Sequence, residues 1–191
     1  MSKLNVRDQL LGAGLKLFHA NGFNATGVQE LATLAGVPKG SFYNYFSSKD
    51  AFAVEVLDRY WQKGNTAMLS DLACGDARTR LHRYFEALVA THRGRDFQGG
   101  CLAGNFSTEL SDQSRLIRDR LASFFAGWSR LIEGCIRDAQ QEDTISSDLP
   151  AAQLASFVLN TWEGAVLRAK VDKDDVALTH FMTVIFQRVL C

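Results

Sequence analysis

The run Val37-Pro38-Lys39-Gly40-Ser41-Phe42-Tyr43-Asn44-Tyr45-Phe46 carries the recognition chemistry around which the chain is organised. Phe42 and Phe46, four apart, give a helix one apolar stripe and leave its opposite face free. Lys39, Ser41, Tyr43, Asn44 and Tyr45 fall on that free face. A cation, a hydroxyl, an amide and two phenols suit phosphates and base edges, whereas a solvated helix normally shows Glu and Lys. Gly40 leaves out a side chain where a duplex would come close. Two aromatics two positions apart cannot both face a core, so at least one of Tyr43 and Tyr45 is exposed. A second reactive stretch is Gly99-Gly100-Cys101, with Arg93 and Arg95 upstream and the amides of a helix expected downstream. Such surroundings favour the thiolate, which reacts with electrophiles and oxidants. The remaining cysteines read as inert: Cys135 on an apolar stripe, Cys74 at a helix end and Cys191 at the terminus.

The elements that must position the first stretch precede it. Val6 to Asn21 reads as a helix, with Val6, Leu10, Leu11, Leu17 and Phe18 near helical spacing. Asn21-Gly22 stops it, Gly22 as a left-handed residue after the helix end, and Phe23 plugs the connection. Thr26 is the N-cap candidate of the second helix, and Gln29 three residues on completes a capping box. Leu31, Ala32, Leu34 and Ala35 form its inner face. Gly36 ends it, and Pro38 suits the first turn of a third helix. Helix, short glycine-containing turn, helix is the helix-turn-helix plan.

The run Gly22-Phe23, Thr26 and Gly36 through Lys49 resembles the N-terminal domain of the TetR family of bacterial transcriptional regulators. The resemblance covers about the first quarter of the chain. It implies that Lys39, Ser41 and Tyr43 reach bases or nearby phosphates, that Thr26, Asn44, Tyr45 and Lys49 hold the DNA backbone, and that Gln29 reads a base from the second helix. It divides the chain into a DNA-binding domain, 1–48, and a ligand-binding and dimerisation domain, 49–191. The pattern Gly100-Cys101-Leu102, Glu109-Leu110 and Trp162-Glu163-Gly164-Ala165 with Lys170 is similar to the NemR-like, electrophile-responsive subgroup. By that likeness Cys101 is the sensing thiol and Lys170 a cation beside it. Phe85, Phe124, Trp128 and Trp162 are the aromatic candidates for an inducer pocket.

The body reads as further helices: Lys49 to about Ala73, Asp76 to about Thr91, Asn105 to Leu110, Gln113 to about Gln141, one opened by Pro150, and Asp174 to Leu190. No stretch alternates at period two, so the fold class is all-α with about nine helices. The last two helices pair large apolar residues with Ala155, Gly164, Ala165 and Ala169, the expected seam of a homodimer. Tight specific binding to DNA generally uses two half-sites, and closed symmetry favours a dimer.

Composition limits the alternatives. Lys plus Arg and Asp plus Glu number 21 each, so no overall basic excess marks an architectural DNA binder. The first fifty residues carry Lys3, Arg7, Lys16, Lys39 and Lys49 against Asp8, Glu30 and Asp50, a small positive bias at the expected DNA end. No CxxC or Cys/His spacing suggests a metal, and no cofactor is expected. The most apolar segment, Pro150 to Val171, is broken by Gln153, Asn160, Glu163 and Arg168, against a membrane span. Without an apolar leader, a reduced cytoplasmic setting is expected. A dimeric repressor, released from a palindromic operator by a small inducer or by modification of Cys101, fits these features best, and activation stays open. The competing readings are a constitutive DNA binder and a cysteine-dependent enzyme using His82 or His92 as base. No sequence motif ties either histidine to a catalytic triad, and no oxyanion-hole motif is visible.

Overall fold

The computed structural model describes residues 5–71 and 75–191, with side chains for 5–64 and 75–191. Nine α-helices make up the described chain: α1 (Val6–Asn21), α2 (Val28–Ala35), α3 (Gly40–Tyr43), α4 (Lys49–Asp71), α5 (Ala77–Arg93), α6 (Leu102–Leu110), α7 (Arg115–Gln141), α8 (Ala151–Asp172) and α9 (Val176–Val184). A π-helical turn, Ile185–Val189, continues α9. No strand occurs among the described residues, and the fold is all-α as read from the sequence. By packing, the chain forms two compact units, Met1–Gly64 with Leu102–Ser123 and Asn65–Cys101 with Phe124–Cys191. Packing thus divides the chain elsewhere than residue 48, a boundary proposed on functional grounds.

The first unit is built on aromatic rings. Phe18 (α1), Phe42 (α3), Phe52 (α4) and Phe106 (α6) are each 0% exposed. Phe52 lies between Phe18 at 5.7 Å, Phe42 at 5.1 Å and Phe46 at 4.7 Å, centroid to centroid, in edge-on contacts. Phe106 meets Phe18 at 5.5 Å. It therefore belongs to this core, although its sequence context suggested the body. Replacing such a ring by Ala costs about 3–5 kcal/mol, so the position of α3 is held strongly from beneath. Gly14 makes the α1–α4 crossing possible, because a Cβ there would lie 2.5 Å from the Phe52 ring and 2.8 Å from Val56. Ion pairs Arg7–Glu55 and Arg120–Asp58 join the helices at the surface, and Ser114 donates to Asp50 at 2.6 Å.

The second unit has its own aromatic centre. Phe85 (α5), Trp162 (α8) and Phe181 (α9) contact one another at 4.9–5.3 Å. Asp76 caps α5 by accepting from the Thr79 amide at 2.8 Å. At the far end of the chain the π turn leaves carbonyls open. Arg78 of α5 donates to the Phe186 carbonyl and, at 2.7 Å, to that of Leu190.

Several boundaries differ from the sequence reading. The capping box at Thr26 and Gln29 does not form: Gly27 is the N-cap of α2, without a side-chain bond. α6 begins at Leu102, three residues earlier than expected, because Leu102 and Ala103 join Phe106 on its buried face. Pro150 stands at the N-cap of α8, and α9 gives way to the wider turn at Ile185. The reading for Cys74 lies outside the described residues.

Candidate nucleic-acid interface and regulatory site

Gly36 turns the chain from α2 toward α3 in the left-handed conformation, φ 70° and ψ 31°. Its amide donates back to Thr33 and that of Val37 to Ala32, at 3.1 and 3.0 Å. These bonds end α2 as a glycine C-cap does. The Ser41 amide donates to the Pro38 carbonyl at 2.9 Å, so the next turn starts on proline. α3 itself spans only four residues, shorter than the ten-residue stretch suggested. What fixes it is the core rather than helix length: Phe42 is 0% and Phe46 2% exposed, whereas Tyr43 is 59% and Tyr45 42% exposed.

Both tyrosines therefore face outward, with Lys39, Gly40 and Asn44 exposed and Ser41 half-buried beside them. A Cβ on Gly40 would meet nothing within 4 Å, so the glycine has no packing requirement. Gln29 is exposed on α2, its amide held to the Thr33 hydroxyl at 3.3 Å. The arrangement exposes donors, acceptors and flat rings together, as phosphate and base contacts require.

Two expected DNA-contact residues make hydrogen bonds within the protein. Thr26 is fully buried, and its hydroxyl donates to the Gly22 carbonyl at 2.7 Å. It fastens the α1–α2 turn, which corrects its assignment to the DNA backbone. Lys49 donates to the Phe23 carbonyl at 2.6 Å and lies 4.1 Å above the Phe23 ring. Burial lowers its pKa, while nearby Glu109 and Asp50 act in the opposite sense. Its half-buried ammonium thus spends one of its three N–H donors within the protein. Glu109, at the end of α6, completes this clamp. One carboxylate oxygen accepts from the Phe23 amide at 3.0 Å and the other from the Asn24 amide at 2.6 Å. Sequence reading noted Glu109 only as part of a pattern, since its partners lie more than eighty positions away.

The sensing candidates divide within the second unit. Phe85 and Trp162 stack in the aromatic centre with Phe181, which was not among the sequence candidates. Phe124 meets Trp128 edge-on at 6.0 Å along α7. Cys101 directly precedes α6, after Gly99 and Gly100 at φ 79° and 65°. It is 5% exposed. The expected cationic surroundings are corrected in part. Arg93 is committed to Asp175 at 2.6 Å, and the side chain that hydrogen-bonds the Cys101 thiol is the Glu163 carboxyl of α8. Lys170 lies in the last turn of α8, seven residues beyond Glu163 and so on the same face. Cys135 is buried with its thiol pKa pushed up by that burial, in keeping with an inert role.

Among the described residues no group of three or more His, Cys, Asp or Glu could hold a metal. No described helix is long and apolar enough to cross a membrane.

Residues 10–56 match the family model described as bacterial regulatory proteins, tetR family, and residues 77–185 that of the tetracyclin repressor-like C-terminal domain. The HTH-type transcriptional repressor DhaR of Mycobacterium sp. (strain GP1) is 37% identical, over 100% of this chain and 95% of its own. A crystal structure of regulatory protein TetR from Rhodobacter sphaeroides is similar at TM-score 0.90 and 29% identity, covering 97% of this chain and 99% of that one. The reduced form of Escherichia coli NemR is similar at TM-score 0.87 and 27% identity, covering 98% of each chain.

Proposed function

Because this chain belongs to the TetR family of bacterial regulatory proteins, we propose that it acts as a cytoplasmic homodimer that occupies a palindromic operator until a small inducer, or modification of Cys101, releases it. It is a DNA-binding transcriptional repressor and not an enzyme. The observation that carries the DNA reading is the division of one short turn into anchored and presented rings, Phe42 and Phe46 inward, Tyr43 and Tyr45 outward. Lys39, Ser41, Tyr43, Asn44 and Tyr45, with Gln29 from α2, contact the duplex, and Gly40 gives them room. Thr26, Lys49 and Glu109 hold the turn from behind.

The dimer seam uses the outward stripe of α8. Phe157, Leu167 and Val171 are 53%, 58% and 69% exposed, and Gly164 opens space between them. Three such apolar side chains at near-heptad spacing on one helix suit a self-complementary helix pair. Ala155 and Ala169, expected at the seam, are buried inside the unit instead. Each protomer then presents one α3, and the two must sit about one DNA turn apart, ~34–36 Å, to read adjacent major grooves. Inducer binding among Phe85, Phe124, Trp128 and Trp162, or alkylation of Cys101, shifts the equilibrium to a spacing that no longer fits.

Gel shift on the DNA flanking the protein's own gene, at stated salt and with or without an electrophile, tests this reading. Tyr43→Ala with Lys39→Ala should weaken binding by about 10-fold or more while leaving the melting temperature unchanged. Unaltered binding by that variant overturns the interface. Cys101→Ser should keep operator binding and lose release by electrophile; release that persists overturns the sensor.

A further inference from the structure

Inside the second unit, polar side chains from α5, α7, α8 and the approach to α6 meet away from bulk water. Tyr84 of α5 and Trp128 of α7 are each 7% exposed, and Cys101 is 5% exposed. The Glu163 carboxyl hydrogen-bonds the Cys101 thiol. The Tyr84 hydroxyl is close enough to Cys101, Glu163 and Cys135 to feel the charge of each. Two atoms of this cluster are buried with no hydrogen-bond partner: Trp128 Nε1, a donor, and Glu163 Oε1, an acceptor. The indole N–H stands against the Tyr84 hydroxyl, yet no acceptor lies in line with it. Leaving a buried polar group unpaired costs about 1–3 kcal/mol. The open acceptor belongs to the carboxyl that holds the thiol, and the open donor stands on the far side of Tyr84; an occupant that brings its own polar atoms would satisfy both.

We propose that Glu163 is the proton acceptor, and the Trp128 N–H the donor to the carbonyl oxygen, for addition of the Cys101 thiol to a small neutral α,β-unsaturated carbonyl compound. The proposal rests on the reading of Cys101 as the sensing thiol and deepens it. As sulfur bonds to the β-carbon, the thiol proton passes to the Glu163 carboxylate. The π electrons move onto the carbonyl oxygen, and the resulting enolate oxygen accepts the Trp128 N–H. The α-carbon then takes the proton back from Glu163, leaving a thioether and the carboxylate as it began. No oxidant or reductant is consumed.

The neighbours favour this assignment. Burial pushes the Glu163 pKa up to about 7, where a base is half ionised near neutral pH and transfers protons efficiently. Burial also raises that of Tyr84 well above its usual value, so its hydroxyl stays protonated and cannot serve as the base. The titratable groups that the carboxyl meets include the Cys101 thiol and Tyr84 on α5, and Lys170 follows two turns on along α8. Across Tyr84 stands Cys135 on α7, which in turn faces Arg80 and Asp138. An ionised Glu163 repels anions, so the site selects uncharged carbonyl compounds over carboxylates.

A carboxylate beside a thiol has one other physical effect, opposition to the thiolate, and the two roles predict opposite signs. The test is the second-order rate of adduct formation at Cys101 with methyl vinyl ketone, read by intact-protein and peptide mass spectrometry on the full chain between pH 5.5 and 9. The native protein should show a rise through about pH 7. Glu163→Gln should lose that rise and react about 100-fold more slowly at pH 7.5. Trp128→Phe should slow the reaction about tenfold or more without moving the pH profile. Glu163→Asp, which keeps a carboxylate, should retain the rise at a reduced rate, and serves alone if the Gln variant does not fold. A Glu163→Gln rate equal to or above the native one overturns the proposal, as does an Asp variant with no rise. Absence of any Cys101 adduct in the native protein overturns both this and the sensor reading. A Glu163-dependent adduct that leaves operator binding intact sinks the sensor reading alone.

Discussion

Single residues decide whether the outer face of α3 is free to act. Gly40 has no neighbour that a methyl group would strike, so Gly40→Ala should leave the fold intact or stabilise it by up to about 1 kcal/mol. If the bare backbone is there for DNA, the same variant should bind operator several-fold more weakly. Equal binding, measured by fluorescence anisotropy, would remove Gly40 from the interface. Thr26→Val tests the opposite case, a buried hydroxyl whose bond to Gly22 is lost at a cost of about 1–2 kcal/mol, visible as a lower urea midpoint. Glu163 makes stability depend on pH. Its carboxyl holds a proton up to about 7 in the folded protein against 4.5 ordinarily. The fold therefore binds more protons than the unfolded chain between those values, and this contribution is complete below about pH 4.5. It is lost as pH rises through about 7. Glu163→Gln should accordingly gain on the native protein by up to about 3 kcal/mol at pH 8, with the advantage fading toward pH 5. A difference that does not change with pH would contradict the origin given for it.

At the scale of the element, the turn between α1 and α2 is held by two long-range charged groups, Lys49 and Glu109, as well as by its own Thr26. Glu109→Gln keeps the shape but weakens two charge-assisted bonds to the Phe23 and Asn24 amides. It should destabilise the protein by about 1–3 kcal/mol in denaturant titration. No change would mean that those bonds are exchanged for water without loss. This clamp also marks the limit of what the sequence made legible. Helix count, the Gly36 turn and the inward Phe42–Phe46 stripe follow from periodicity and local chemistry, and they stand. Thr26 was misplaced because a hydroxyl in a turn can point either way, and its partner, the Gly22 carbonyl, is only four positions off. The Phe23 carbonyl that Lys49 meets lies twenty-six positions earlier, beyond what local spacing shows. Glu163 was likewise visible only as an interruption in an apolar run and as one letter of a family-like pattern. What makes it reactive is a thiol sixty-two positions earlier, and spacing alone does not reveal that.

For the molecule as a whole, function depends on two copies. Leu167→Glu with Val171→Glu places charges on the outward stripe of α8 and should convert the dimer to monomer in sedimentation, with operator affinity falling by a factor of at least about 100. A variant that remains dimeric locates the seam elsewhere. A further consequence lies in α6, whose last turn carries the carboxylate that grips the α1–α2 turn. Two bonds, each worth about 1.5–3 kcal/mol, rivet that turn to the end of α6, so α1 and α2 cannot swing away from α6 within their unit without breaking both.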